Sequence, residues 1–180
     1  ELFVEDTIPE EISKHFTYPK YLYEVQSKMI ATYHDISADS LYRSDDLWQI
    51  TPIALGTTNS RNNSSAMEPT YTVCKTPDSE EEQFELVLTY NRQSKQNIIS
   101  YLVGNYDGDS KGKLTLYKFP NDSNILGPMQ LDTQLEQDET ISNELESLNV
   151  SGAKLTKTMV IVPIENTLLY VEPIYQQYTN

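Results

Sequence analysis

Asp107 and Asp109, in the run Asn105-Tyr-Asp-Gly-Asp-Ser-Lys-Gly-Lys113, are spaced like the first two ligands of a calcium loop, and Gly112 falls where such a loop turns sharply. The match then breaks. The next ligand position is Lys111 and the closing bidentate acid would be Lys118, so ammonium groups stand where a cation needs oxygens. The run reads as a polar turn leading into a strand, and no metal ligand is assigned from it. The two histidines, His15 and His34, lie near opposite ends of a helix that starts at Pro19. Such a helix separates its ends by about 20 Å, too far for a shared metal or an acid–base pair. The chain contains no H-E-x-x-H, G-x-S-x-G, P-loop or G-x-G-x-x-G. Its single cysteine, Cys74, excludes an intrachain disulfide and a cysteine metal cluster, and in a strand pattern reads as a small buried hydrophobe. Carboxylates remain, but they are so numerous that no pair stands out. No catalytic, cofactor-binding or metal-binding residue is assigned, and the sequence leans away from an enzyme.

The 180 residues fit one domain with a real core. Thirteen tyrosines raise the apolar area above what the 38% hydrophobic fraction implies, because a tyrosine buries its ring and keeps its hydroxyl polar. With 27 acidic against 13 basic residues, the net charge of −14 opposes nucleic acid and anionic membrane surfaces. It favours solubility and, more sharply, a cation-rich or basic partner. The longest apolar run is about six residues, well short of the roughly twenty a membrane-spanning helix requires. A start at Glu1 and not Met leads to the expectation of a piece of a longer protein, with targeting or spanning segments lying elsewhere.

The elements that must position any site read as a single α+β domain over 1–180. It has a helical segment over 1–50, a mobile loop over 56–66 and a sheet-containing core over 67–178. After Pro19, Leu22, Val25, Met29 and Tyr33 recur at helical spacing and predict the buried face of a four-turn helix. Ser37 and Ser44 are candidate caps of short turns, and Trp48 is a candidate core or docking anchor. Tyr71 to Lys75 and Phe84 to Tyr90 predict strands, the second alternating Phe84, Leu86, Leu88 and Tyr90 on one face. Ile98, Ile99, Leu102, Val103 and Tyr106 predict a helix. Strands follow at Lys113 to Phe119 and Met129 to Leu135, then a helix capped by Asp138 and carrying Ile141, Leu145 and Leu148.

Met159-Val-Ile-Val-Pro-Ile164 and Thr167-Leu-Leu-Tyr-Val-Glu-Pro-Ile-Tyr175, separated only by Glu165-Asn166, predict a β-hairpin whose apolar character places it at the centre of a covered sheet. The fold class predicted is α+β, a mostly antiparallel sheet with helices packed on one face.

The segments His15-Phe-Thr-Tyr-Pro-Lys-Tyr-Leu-Tyr-Glu-Val-Gln26, Asp45-Asp46-Leu47-Trp48, Gly127-Pro-Met-Gln130 and Leu168-Leu-Tyr-Val-Glu-Pro-Ile-Tyr175 stand out in this order and spacing. Together they resemble uncharacterised protein family 0182, a bacterial family of polytopic membrane proteins with a large region outside the membrane. The resemblance implies a C-terminal extracytoplasmic portion of a membrane protein and supplies a location without a mechanism. The expected partners are the membrane, through spans outside this chain, and an envelope protein or a second copy. The first functional reading is an interaction or assembly module, with Tyr18, Tyr21 and Tyr23 beside Pro19 as the candidate interaction face. The other is an envelope enzyme or a small-ligand or cation receptor with a carboxylate-lined pocket.

Overall fold

Phe84-Glu-Leu-Val-Leu-Thr-Tyr90 alternates as a strand should, and both of its faces are covered. The computed structural model describes residues 8–35, 42, 47–54, 64–106, 111–149 and 153–178. Ser37, Ser44, Asp107, Asp109 and positions 56–63 lie outside the described residues. The sheet is antiparallel and is built on β5 (Gln83–Arg92) and β6 (Ile98–Asn105). β7 (Lys113–Lys118) pairs with β6, while β1 (Trp48–Ile50) and β4 (Thr70–Cys74) pair with successive stretches of β5 on its other edge. Among the described residues, three two-stranded antiparallel sheets flank it. They are β2 (Pro52–Ala54) with β3 (Ser64–Ala66), β8 (Ala153–Lys157) with β11 (Ile174–Tyr178), and β9 (Val160–Ile164) with β10 (Thr167–Val171). The helices bounded within the described residues are α1 (Glu10–Ser13), α2 (Lys20–Tyr33), α3 (Pro128–Gln137) and α4 (Glu139–Leu148). The class is α+β, with about 41% strand and 27% helix.

Both faces of β5 and β6 carry core. Leu86, Leu88, Tyr90 and Leu102 meet Tyr18, Tyr23 and Trp48 on the α2 side; Val87, Ile98, Tyr101 and Val103 meet Ile161 and Leu168 of the β9–β10 hairpin on the other. This explains the first departure from the sequence reading. Residues 98–105 form a strand and not a helix, because a strand buried on both sides is apolar at consecutive positions and mimics a helical period over two turns. Residues 129–135, read as a strand, belong to α3 instead. Pro128 opens that helix, where its missing N–H costs nothing, and Gln130 Oε1 accepts from Gly127 N at 2.9 Å. The helical reading over 1–50 also stops short at its end, since Trp48 begins a strand, and Ser64–Ala66 of the expected loop is β3.

Asp138 caps α4 as its sequence position implies, accepting from Thr140 N and Ile141 N at 3.0 Å each. The hairpin forms at the expected residues, with Val160–Ile164 against Thr167–Val171. It is a separate two-stranded layer, however, and the centre of the sheet is β5–β6. The left-handed residue of its turn is Glu165, with φ 52°, and not Asn166; Glu165 N donates to Lys75 O at 2.7 Å, which holds that conformation.

Tyrosine hydroxyls tie the layers together. Tyr23 donates to Leu102 O at 2.6 Å, Tyr71 to Tyr18 O at 2.6 Å and Tyr90 to Ser27 O at 2.9 Å, while Tyr170 donates to Leu126 O at 2.5 Å on the hairpin side. Each ring fills core and each hydroxyl satisfies a backbone carbonyl, so none of these four tyrosines leaves an unpaired donor.

The close approach of α2 depends on Gly104, where an added Cβ would lie 2.9 Å from Tyr23 Cδ2 and 3.0 Å from Tyr18 Cγ. Gly104→Val is therefore expected to cost about 1–3 kcal/mol by overpacking, read as a lower urea midpoint. An unchanged midpoint would mean that α2 sits farther from the sheet.

Candidate functional site

The three tyrosines of the expected interaction face are divided by the helix. Residues two apart on a helix point to nearly opposite sides, so Tyr23 turns into the core at 0% exposure while Tyr21 faces out at 75%. Tyr18, ahead of the helix, is also buried; its ring meets that of Tyr23 edge-on at 5.9 Å, and its hydroxyl donates to Gln26 Oε1 at 2.8 Å. Tyr18 and Tyr23 thus hold the helix to the sheet, and Tyr21 alone belongs to the surface.

The surface it joins is the stripe that the sequence assigned to the core. Leu22, Val25, Met29 and Tyr33 are all exposed, and α2 packs instead through the neighbouring face bearing Tyr23, Ser27, Ile30 and Ala31. Ser27 decides the choice: small enough for close contact, it lets Tyr90 reach its carbonyl, opposite the room that Gly104 leaves for Tyr23. The result is a continuous apolar stripe at i, i+3, i+7 and i+11 along a surface helix, of the kind that marks interaction sites.

A second feature is polar. On the hairpin side of β5, Glu85 is buried; its Oε1 accepts from Asn105 Nδ2 at 2.7 Å, and its Oε2 accepts from Cys74 Sγ at 2.9 Å. Asn105 also donates to Gln83 Oε1. Glu85, Asn105 and Gln83 line a cavity of about 270 Å³ with Asp78 and Tyr117. Burial first, and then the Glu85 hydrogen bond and charge, push the Cys74 thiol well up, so it is a protonated donor and not a nucleophile. Among the described residues, no group of three or more His, Cys, Asp or Glu side chains could hold a metal ion. His34 stacks on Trp48 at 3.8 Å, and Trp48 is a core residue that also carries Lys118 Nζ 5.0 Å from its ring centre.

Carboxylates converge at one further place. Lys157 on β8, itself buried, donates to Asp132 and, at 3.1 Å, to Glu136, one turn apart on α3. Burial works to lower the Lys157 ammonium, yet the two carboxylate hydrogen bonds outweigh it and hold the amine above its ordinary range. Glu172 completes the group, and burial raises its carboxyl. This cluster is a clasp between α3 and β8, with the cation already supplied by the chain.

The sequence profile described as uncharacterised protein family (UPF0182) matches residues 2–148. The chain belongs to this family. A UPF0182 protein of Pelotomaculum thermopropionicum is 36% identical over 173 residues, covering 96% of this chain and 18% of that relative. Those of Clostridium botulinum and Desulforamulus reducens are 35% and 33% identical over 95% and 94% of this chain, or 19% and 18% of the relatives. The chain thus spans less than a fifth of the length of these UPF0182 proteins. No solved structure matches it.

Proposed function

We propose that this UPF0182 portion is an interaction or assembly module, held on the extracytoplasmic side of a bacterial membrane by spans elsewhere in the parent, and that its α2 stripe packs against the rest of that parent. The observation that carries the reading is the exposure of Tyr21, Leu22, Val25, Met29 and Tyr33 on a helix anchored by its other face. Relatives about five times as long leave ample chain to cover such a stripe. Among the described residues, no helix is long and apolar enough to cross a membrane, so in this reading the tether is supplied from outside them.

Location is tested through thiols. Cys74 is buried and protonated, so a cysteine placed at the 90%-exposed Tyr42 is the one reactive thiol of this portion. In full-length protein cleared of other reactive cysteines, Tyr42→Cys is expected to react with a membrane-impermeant maleimide in intact spheroplasts. Labelling only after lysis would place the portion inside.

A second reading, a small-ligand or cation receptor, draws on the polar cavity at Glu85 and Asp78. It requires a rise in melting temperature with divalent cations or sugar fragments that Glu85→Gln abolishes.

A further inference from the structure

β4 and β9 are both edge strands, and they face each other. Among the described residues, β4 pairs only with β5 and β9 only with β10, apart from one parallel bridge between Lys75 and Ile164. At that end the two strands are pinned by Glu165 N donating to Lys75 O at 2.7 Å and by the Lys75 Nζ–Glu165 Oε1 contact at 3.3 Å. Toward their N-terminal ends they diverge. The wedge between them is a cleft of about 680 Å³, walled by Thr70 and Tyr71 on one side and Met159 and Val160 on the other, with Ile53 and Met67 among its lining. Pro163, inside β9, fits an edge position, since proline cannot serve a central strand.

We propose that this cleft takes an extended, basic peptide segment as an added strand. Three features select that occupant. Strand edges on opposite walls present alternating main-chain donors and acceptors, and only another extended backbone matches that repeat. The apolar lining is rich in methionine, Met67 and Met159, whose flexible side chains adapt to an inserted apolar residue. The net charge of −14 attracts cationic chains over acidic ones, and Glu68 at the mouth is 84% exposed, held only by a surface pair with Lys20 at 3.2 Å that a ligand lysine can replace. The added strand would continue the β5–β4 sheet toward β9–β10 and close two open edges. This surface is separate from the α2 stripe, and the proposal stands without it.

The test uses the 180-residue chain labelled with nitrogen-15 and the capped peptide acetyl-Lys-Val-Thr-Val-Lys-amide. The expected result is saturable binding with amide shifts concentrated at Thr70–Val73 and Val160–Val162. Affinity should fall at least tenfold for the same peptide N-methylated at alternate residues, and at least tenfold when both lysines are replaced by glutamate. Glu68→Gln is expected to weaken binding of the lysine peptide a few-fold without weakening that of the glutamate peptide, and equal weakening of both would remove Glu68 as the cation-selecting group. Equal binding of the N-methylated peptide would show an apolar pocket without strand addition and overturn the proposal. Shifts confined to α2, or no saturation, would overturn it as well.

Discussion

Replacing Tyr23 with alanine is expected to remove about 4 kcal/mol of stability, the range for truncating a buried aromatic. Its ring is fully buried between α2 and β6, and its hydroxyl supplies the partner of Leu102 O. Against a total of roughly 5–15 kcal/mol, this is a large fraction, and at 180 residues it lowers the melting temperature by about 10 °C. Tyr23→Phe keeps the ring and is expected to lose only about 1 kcal/mol. If Tyr23→Ala unfolds within 1 °C of the parent, α2 is not held as described.

The same tyrosines set the response to alkali. Burial raises Tyr23 and Tyr90 well above their ordinary range, and burial pushes Tyr170 up to about 12. An acid with a raised folded pKa stays protonated in the fold while the unfolded chain ionises from pH 10 upward. The unfolded state then binds fewer protons and stability falls as pH rises. For each fully buried tyrosine the slope is about 1.4 kcal/mol per pH unit. Lys157 acts in the same direction: its raised folded pKa gives stability that is complete below the unfolded value of 10.5 and is lost as pH climbs through the folded one. Cooperative unfolding above pH 10, followed by circular dichroism, is the expected behaviour.

The second large effect is at the clasp. Lys157→Ala is expected to cost about 3–5 kcal/mol, because it leaves the Asp132 and Glu136 carboxylates, 13% and 25% exposed, without their cation. Neutralising the whole group, with Lys157→Met, Asp132→Asn and Glu136→Gln together, is expected to restore most of the loss. Glu172 shares the pH direction of Lys157 but is unfavourable at pH 7: the fold disfavours its charged form, so stability is gained as pH falls through its raised pKa, and Glu172→Gln is expected to be neutral or stabilising at pH 7. A triple variant as unstable as Lys157→Ala would show that Lys157 acts through packing and not charge.

The legible parts of the fold were those fixed by neighbours in sequence. The hairpin could be read from β-branched runs around Glu165-Asn166, α4 from its Asp138 cap, and β5 from strict alternation. Residues 129–135 were misread although their helix start is local, at Pro128 and Gln130; the other failures depended on partners distant in the chain. Ile98 to Tyr106 looked helical because both faces of β6 are core, a fact set by α2 on one side and the hairpin on the other. The wrong stripe of α2 was placed inside because Leu22, Val25, Met29 and Tyr33 are more apolar than the face with Ser27, and only the glycine at Gly104 and the hydroxyl of Tyr90 reveal which face fits. The Tyr18, Tyr21 and Tyr23 cluster yielded one surface residue for the same reason. Glu85 sits on the Val87 and Thr89 face of β5, which is a second core face and not a solvated one.

The most direct test of an assembly module facing its own parent is Val25→Cys in a full-length UPF0182 protein cleared of other reactive thiols. Val25 is 57% exposed in this portion and Cys74 does not compete for reagent. A short thiol-to-amine cross-linker is expected to join position 25 to residues outside the 180-residue portion, with maleimide labelling at least tenfold slower than in the isolated portion. Equal labelling rates and no such cross-links would show that the stripe faces solvent in the parent, and the proposed function would be wrong.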